Sequence, residues 1–135
     1  MRFKHHDGGR KDSGLKGRSH DCVIRAYCIA TGEPYIKTRD KLKIMTSEMT
    51  YGMDASVADG VYPPVYSKMF FLSGFTPVKR NGYMSDVPKT GTHIVCMTGH
   101  IATVIDGVLY DTWDSSTSKR TKSGEAKISG YWSKQ

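Results

Sequence analysis

Residues 99–114 read GHIATVIDGVLYDTWD. Two apolar runs, HIATVI and VLYDTW, meet at Asp106-Gly107. An Asp-Gly pair between alternating apolar residues marks a two-residue type I′ hairpin, because both turn positions need positive φ. Such a turn sets the register. Ile105 faces Val108, Val104 faces Leu109, Ala102 faces Asp111 and His100 faces Trp113. Side chains alternate between faces, so His100 shares one face with Asp111 and Trp113. His100 and Asp111 become diagonal neighbours, about 7–8 Å apart at the backbone and within reach of each other's side chains. A carboxylate that holds one imidazole nitrogen leaves the other free to serve a nucleophile. Trp113 is placed to pack over the pair and limit water. Asp114 is the alternative acid, if it lies in the loop that follows the strand.

Outward from the hairpin, THIVCM precedes it as a strand and AKISGYW closes the chain as another. FTPV reads as a short strand and KRNGYMSDVPKTG as a turn-rich connection. The first half is helical. DCVIRAYCIATG repeats Val23, Ala26, Tyr27 and Ala30 at helical spacing, with Asp21 or Ser19 as the cap and Gly32 as the stop. Residues 35–49 give a second amphipathic helix with Ile36, Leu42, Met45 and Met49 inward. Pro63-Pro64 opens a third that ends near Gly74. Residues 50–62 read as a loop, and residues 1–20 as a basic, Gly-rich arm or loop. Helices followed by strands predict an α+β fold in one domain over residues 1–135, with the helices packed on a small antiparallel sheet.

Cys22 stands where the first helix begins. The helix N-terminus favours a thiolate there, and a neighbouring imidazolium favours it further. A thiolate is the nucleophile that acyl transfer needs. The Cys22 N–H has no helical acceptor and is free to bind an oxyanion. The other two cysteines, Cys28 and Cys96, fall inside a helix and a strand and are expected in the core. The paired spacings of zinc modules are absent, so no metal or cofactor is expected. His5, His6 and His20 lie in the polar arm. His93 opens the preceding strand and is the fallback base.

Composition narrows the classes. The formal charge is +7, with 20 basic residues against 13 acidic ones, which permits contact between the basic N-terminal arm and nucleic acid or an acidic protein. The N-terminal residues lack the apolar stretch of a secretory signal. No run approaches the roughly 18 apolar residues of a membrane span. Three cysteines form no even framework. The expectation is a cytoplasmic chain with no membrane partner.

The order of Cys22 at a helix start, His100 on a strand and Asp111 on the next resembles the papain-like cysteine peptidases and amidases. Asp111-Thr112-Trp113 is similar to the Asn-Ser-Trp of that family. The resemblance implies a papain-like fold and a Cys22–His100–Asp111 triad that forms a thioester with a peptide, isopeptide or other amide. In the exporter branch of the superfamily the acid precedes a Pro, and the corresponding choice here is Asp114. Papain-type enzymes carry an oxyanion Gln six residues before the Cys; this chain has Lys16 there, which leaves Lys16, Ser19 and His20 as candidates.

A second resemblance covers most of the chain. DGGR at 7–10, GLKGRSHDCVIRA, DGVY at 59–62, HIATVIDGVLYDTWD and GYW are similar to a small family of phage and bacterial proteins. It implies a phage gene product working in the host cytoplasm, with a host protein among its candidate substrates. In that pattern an Arg stands at position 25. Arg25 either binds a substrate carboxylate or pairs internally with an acid such as Glu48. The competing class is a binding protein for nucleic acid or an acidic host protein, built on an inactive papain-like scaffold.

Overall fold

The structure is a computed structural model that describes residues 1–16, 20–50 and 60–134. It is an α+β fold in which three helices and a six-stranded mixed sheet alternate less simply than the sequence suggests. In chain order these are β1 (Arg2–His5), α1 (Cys22–Thr31), α2 (Tyr35–Met49), α3 (Pro63–Leu72), β2 (Thr76–Tyr83), β3 (Thr92–Met97), β4 (His100–Ile105), β5 (Val108–Asp111) and β6 (Lys127–Lys134). The strand order across the sheet is β1-β5-β4-β3-β6-β2.

The hairpin forms as its turn chemistry requires. Asp106 has φ 48° and Gly107 has φ 80°, the two positive values of a type I′ turn. Ile105 pairs with Val108 and Val104 with Leu109. The ladder ends at Thr103–Tyr110, so the expected Ala102–Asp111 and His100–Trp113 positions lie beyond it. His100 is the first residue of β4 and Asp111 the last of β5, and the two side chains meet at this open end of the hairpin.

Each sheet face has its own core. Ile94 and Ile101 pack with Val23, Ile24, Tyr27, Leu42, Val65 and Phe70 of the three helices. Val95, Ala102, Val104 and Leu109 pack with Met84, Val87, Ala126 and Ile128 on the other face. The buried Thr103 hydroxyl donates to the Ala26 carbonyl (2.6 Å), tying α1 to β4. In α2 the buried stripe is Tyr35, Thr38, Leu42 and Thr46. The expected Ile36, Met45 and Met49 are only half-buried, because two threonines occupy the inner face that apolar periodicity assigned to them.

Two expectations need correction. The sheet is mixed, not antiparallel, because β1 joins β5 in parallel. The arm at residues 1–20 is therefore partly a strand, followed by a short 3-10 turn at Lys11–Ser13. All four residues of β1 are exposed, so no apolar alternation announces it. Likewise β2 extends from Thr76 through Tyr83, into the segment read as turns. It is an edge strand, mostly exposed, with a register shift between Lys79 and Gly82, and such edges carry little period-2 signal. Most of the expected 50–62 loop, and Ser19 as a helix cap, lie outside the described residues. Among those described, no helix is long and apolar enough to cross a membrane.

The N-terminal segment bears directly on α1. Gly8 has φ 71°, and a Cβ there would lie 2.8 Å from the Cα of Arg25. An alanine at this position meets both backbone strain and a contact with main chain that cannot swing away. Gly8→Ala is expected to cost more than about 1 kcal/mol in urea unfolding.

Candidate active site

Cys22 opens α1 after Asp21, which stands at the cap position. Asp21 makes no side-chain cap bond. Its carboxylate, 1% exposed, instead forms an ion pair with Arg25 and accepts the Tyr35 hydroxyl at Oδ2 (2.5 Å). The first helical bond runs from the Arg25 N–H to the Asp21 carbonyl (3.0 Å). The Cys22 N–H therefore points out of the first turn with no acceptor among the described residues.

His100 Nε2 lies 2.6 Å from Asp111 Oδ2. Cys22 lies on the same cleft wall as His100, close enough for each to shift the other's titration, and Nδ1 is the ring nitrogen that Asp111 leaves to it. Asp111 is 4% exposed and fully engaged. Its Oδ2 also accepts the Ser115 hydroxyl (2.7 Å), and its Oδ1 accepts the Thr112 N–H (2.7 Å). The His6 N–H donates to its carbonyl (2.9 Å), so β1 holds the backbone from which the carboxylate projects. The Trp113 ring lies 5.1 Å from the imidazole at 38°. Trp113 is 53% exposed and so shields the pair from one side only.

The electrostatics follow from these contacts. Burial pushes the Cys22 thiol up, but hydrogen bonds to His100 and to the Ile101 N–H, with the charges of His100 and Arg25, outweigh it and lower the thiol below its ordinary range. Burial pushes His100 down, but Asp111 and Cys22 outweigh it and hold the imidazolium up to about 9. Burial raises Asp111, and its bonds to His100 and Ser115 reverse that and hold it low. Thiolate and imidazolium thus coexist from the lowered Cys22 value up to about 9.

This pair has a thermodynamic signature. In the unfolded chain, between 6.5 for histidine and 9.0 for cysteine, the thiol holds the one proton; in the folded chain the imidazole holds it from the lowered Cys22 value up to about 9. Equal proton counts give no slope of stability with pH where these windows overlap. In Cys22→Ala only His100 remains, its pKa still raised by Asp111. Its contribution is then full below 6.5 and is lost as pH rises through the folded value. Urea unfolding across this range should show little dependence from the Cys22–His100 pair in the wild type and a decline with pH in Cys22→Ala.

The remaining expected residues divide clearly. The Asp114 carboxylate is taken by Ser116, from its N–H (3.1 Å) and its hydroxyl (2.5 Å), so Asp111 is the acid on His100. His93 is fully buried between Ser133 (2.7 Å) and the Thr90 carbonyl (2.6 Å), which removes it as a fallback base. Arg25 pairs with Asp21 and lies 3.8 Å from Asp111, rather than reaching Glu48. The Lys16 side chain is exposed and outside the cleft wall, while its carbonyl accepts from Arg10 (3.1 Å). His20 is exposed and on the cleft wall. Ser19 lies outside the described residues.

Cys28 is buried, donates to Thr38 (3.3 Å) and is pushed up to about 11 by burial. Cys96 is a correction: it is half-buried on the cleft wall near Cys22, not enclosed in the core, and burial with the Cys22 charge pushes it up to about 11. Among the described residues, no three His, Cys, Asp or Glu side chains converge as a metal ion would require.

Cys22, His100 and Trp113 line one open cleft of about 1460 Å³, together with Val61, Pro63, Tyr66 and Met97. Sequence reasoning missed Asp21 and Tyr35 beneath the nucleophile and Ser115 and Thr112 around Asp111. Asp21 directly precedes the cysteine and reads as an ordinary helix cap, and only its burial shows otherwise. No protein-family model, curated protein or solved structure matches this chain, and the site stands on its own geometry.

Proposed function

We propose that this chain is a thiol hydrolase of papain-like design that cleaves an amide bond through Cys22, His100 and Asp111. The observation that carries the reading is a single imidazole bonded to a buried carboxylate and set beside a helix-start thiol, at the wall of an open cleft. The Cys22 thiolate attacks the carbonyl carbon, and the resulting oxyanion takes the Cys22 N–H. His100 passes its proton to the leaving amine as the C–N bond breaks, giving a thioester. It then takes a proton from the attacking water, and the thioester C–S bond breaks to release the acid and regenerate the thiolate. Asp111 fixes the ring orientation throughout. Of the candidates for a second oxyanion donor, His20 is the described one on the cleft wall.

The proposed substrate is a peptide, isopeptide or similar amide. By the resemblance to phage proteins, it would be a host protein or conjugate met in the cytoplasm. A peptide-based electrophile tests the reading. It should label Cys22 and spare Cys28 and Cys96, and His100→Ala should suppress the labelling. Equal labelling of Cys22 with and without His100 would sink it, and would return attention to the binding-scaffold reading, whose mark is salt-dependent association with nucleic acid.

A further inference from the structure

We propose that Arg25 is the positioning residue of this site: one guanidinium joins the acid that precedes the nucleophile to the acid that orients the base. The proposal rests on the thiol hydrolase reading and assigns that site's internal control. Arg25 Nη1 pairs with Asp21 Oδ1, and Nη2 lies 3.8 Å from Asp111 Oδ1. The two carboxylates use their other oxygens elsewhere, Asp21 for Tyr35 and Asp111 for His100 and Ser115. Arg25 is thus a direct side-chain link between the Cys22 end of α1 and the Asp111 end of β5.

Two further observations point the same way. An Asp at a helix start ordinarily turns its carboxylate onto the first-turn N–H groups. Asp21 does not, because Arg25 and Tyr35 hold it. Among the described residues, no side chain then caps those N–H groups. The backbone of Arg25 is also set from outside, since Gly8 of the N-terminal segment packs against its Cα with no room for a Cβ. The same segment, through His6, holds the Asp111 carbonyl. The planar fork of an arginine addresses two carboxylates in a fixed geometry that the point charge of a lysine does not supply.

The charged and titratable groups around this assembly are His100 from β4, Asp111 from β5, Cys96 from β3, Tyr66 from α3 and Tyr35 from α2, with His5, Asp7, Arg10, Lys11, His20 and Asp21 before α1. The test is the rate of Cys22 alkylation by iodoacetamide as a function of pH in the full chain. Arg25→Gln should move the acid limb upward and slow the reaction at pH 6.5 about tenfold, the equivalent of one pKa unit. Arg25→Lys keeps the charge but should lose most of the same rate. Glu33→Gln removes a more exposed ion pair with Lys41 (2.9 Å) beyond the C-terminal end of α1, and should leave the profile unmoved.

The inference is overturned if Arg25→Lys matches the wild type, if both Arg25 variants lose stability alone, or if Glu33→Gln moves the profile as far. Should Arg25→Gln fail to fold, Arg25→Lys decides. Failure of the hydrolase reading looks different: the wild-type Cys22 would then react no faster than Cys28.

Discussion

His100→Ala will lower the rate of amide cleavage by on the order of 10²–10⁴-fold, the range expected when a positioned general base and acid is lost. Alkylation of Cys22 at neutral pH should fall less, by about 20- to 50-fold. An unassisted thiol is still a few per cent thiolate there, and its residual reactivity sets the floor. The size of the first effect comes from the double role of the ring, which stabilises the thiolate and then protonates the leaving amine. The second effect reports the thiolate alone, because alkylation needs no leaving-group proton. Comparing the two separates activation of the nucleophile from acid catalysis. Donation from His100 to the thiolate and the charge of His100 both lower the thiol, so the variant should also move the Cys22 titration up toward the ordinary range.

Asp111→Ala should have the next largest effect, and on two observables. The carboxylate is 4% exposed and accepts from His100, Ser115 and Thr112. Its removal strands the buried Ser115 hydroxyl and takes the acceptor from the half-buried His100 and Arg25. Breaking a buried pair in this way costs about 3–5 kcal/mol, which should be plain in chemical unfolding. Activity should fall together with the loss of ring orientation. Asp111→Asn, which keeps an acceptor for His100, should retain more activity than the alanine variant. It should also lower the His100 pKa, because the carboxylate charge that raises it is gone. Asp114→Ala is the contrast: its carboxylate serves only the local turn at Ser116, so the triad should be little affected. Kinetics and unfolding on the three variants together decide which acid belongs to the site.

The parts of the fold that carry a strong local pattern were readable from the sequence. Asp106-Gly107 specified the turn and, with it, the register of Ile105 and Val104. Pro63 and Gly32 marked ends of helices that form where expected. The strands missed or cut short are the edges: β1 reads as an arm, and only the start of β2 as a strand. Both β1 and β2 are exposed and polar, so nothing in their alternation distinguishes them from loops. That omission had a functional cost, because β1 supports Asp111 and its following turn presses Gly8 against α1.

Within the site, Cys22, His100 and Asp111 could be chosen by residue type and spacing. The residues that hold them could not. Asp21 and Arg25 are one helical turn apart and look like a surface ion pair until Asp21 is found buried against Tyr35. Ser115 and Thr112 serve Asp111 through a bend after β5 that no periodicity predicts. His93 and Asp114 were chemically reasonable alternatives, and only tertiary placement removed them.

The central claim is that Cys22 is a thiolate paired with the His100 imidazolium in the folded protein. Ultraviolet thiolate absorbance, titrated against pH in the wild type and in Cys22→Ala, measures this directly by difference. The account predicts that the difference corresponds to one thiolate forming below the ordinary 9.0 of a cysteine, while Cys28 and Cys96 ionise only near 11. A difference titration with its midpoint at or above 9.0 would contradict it.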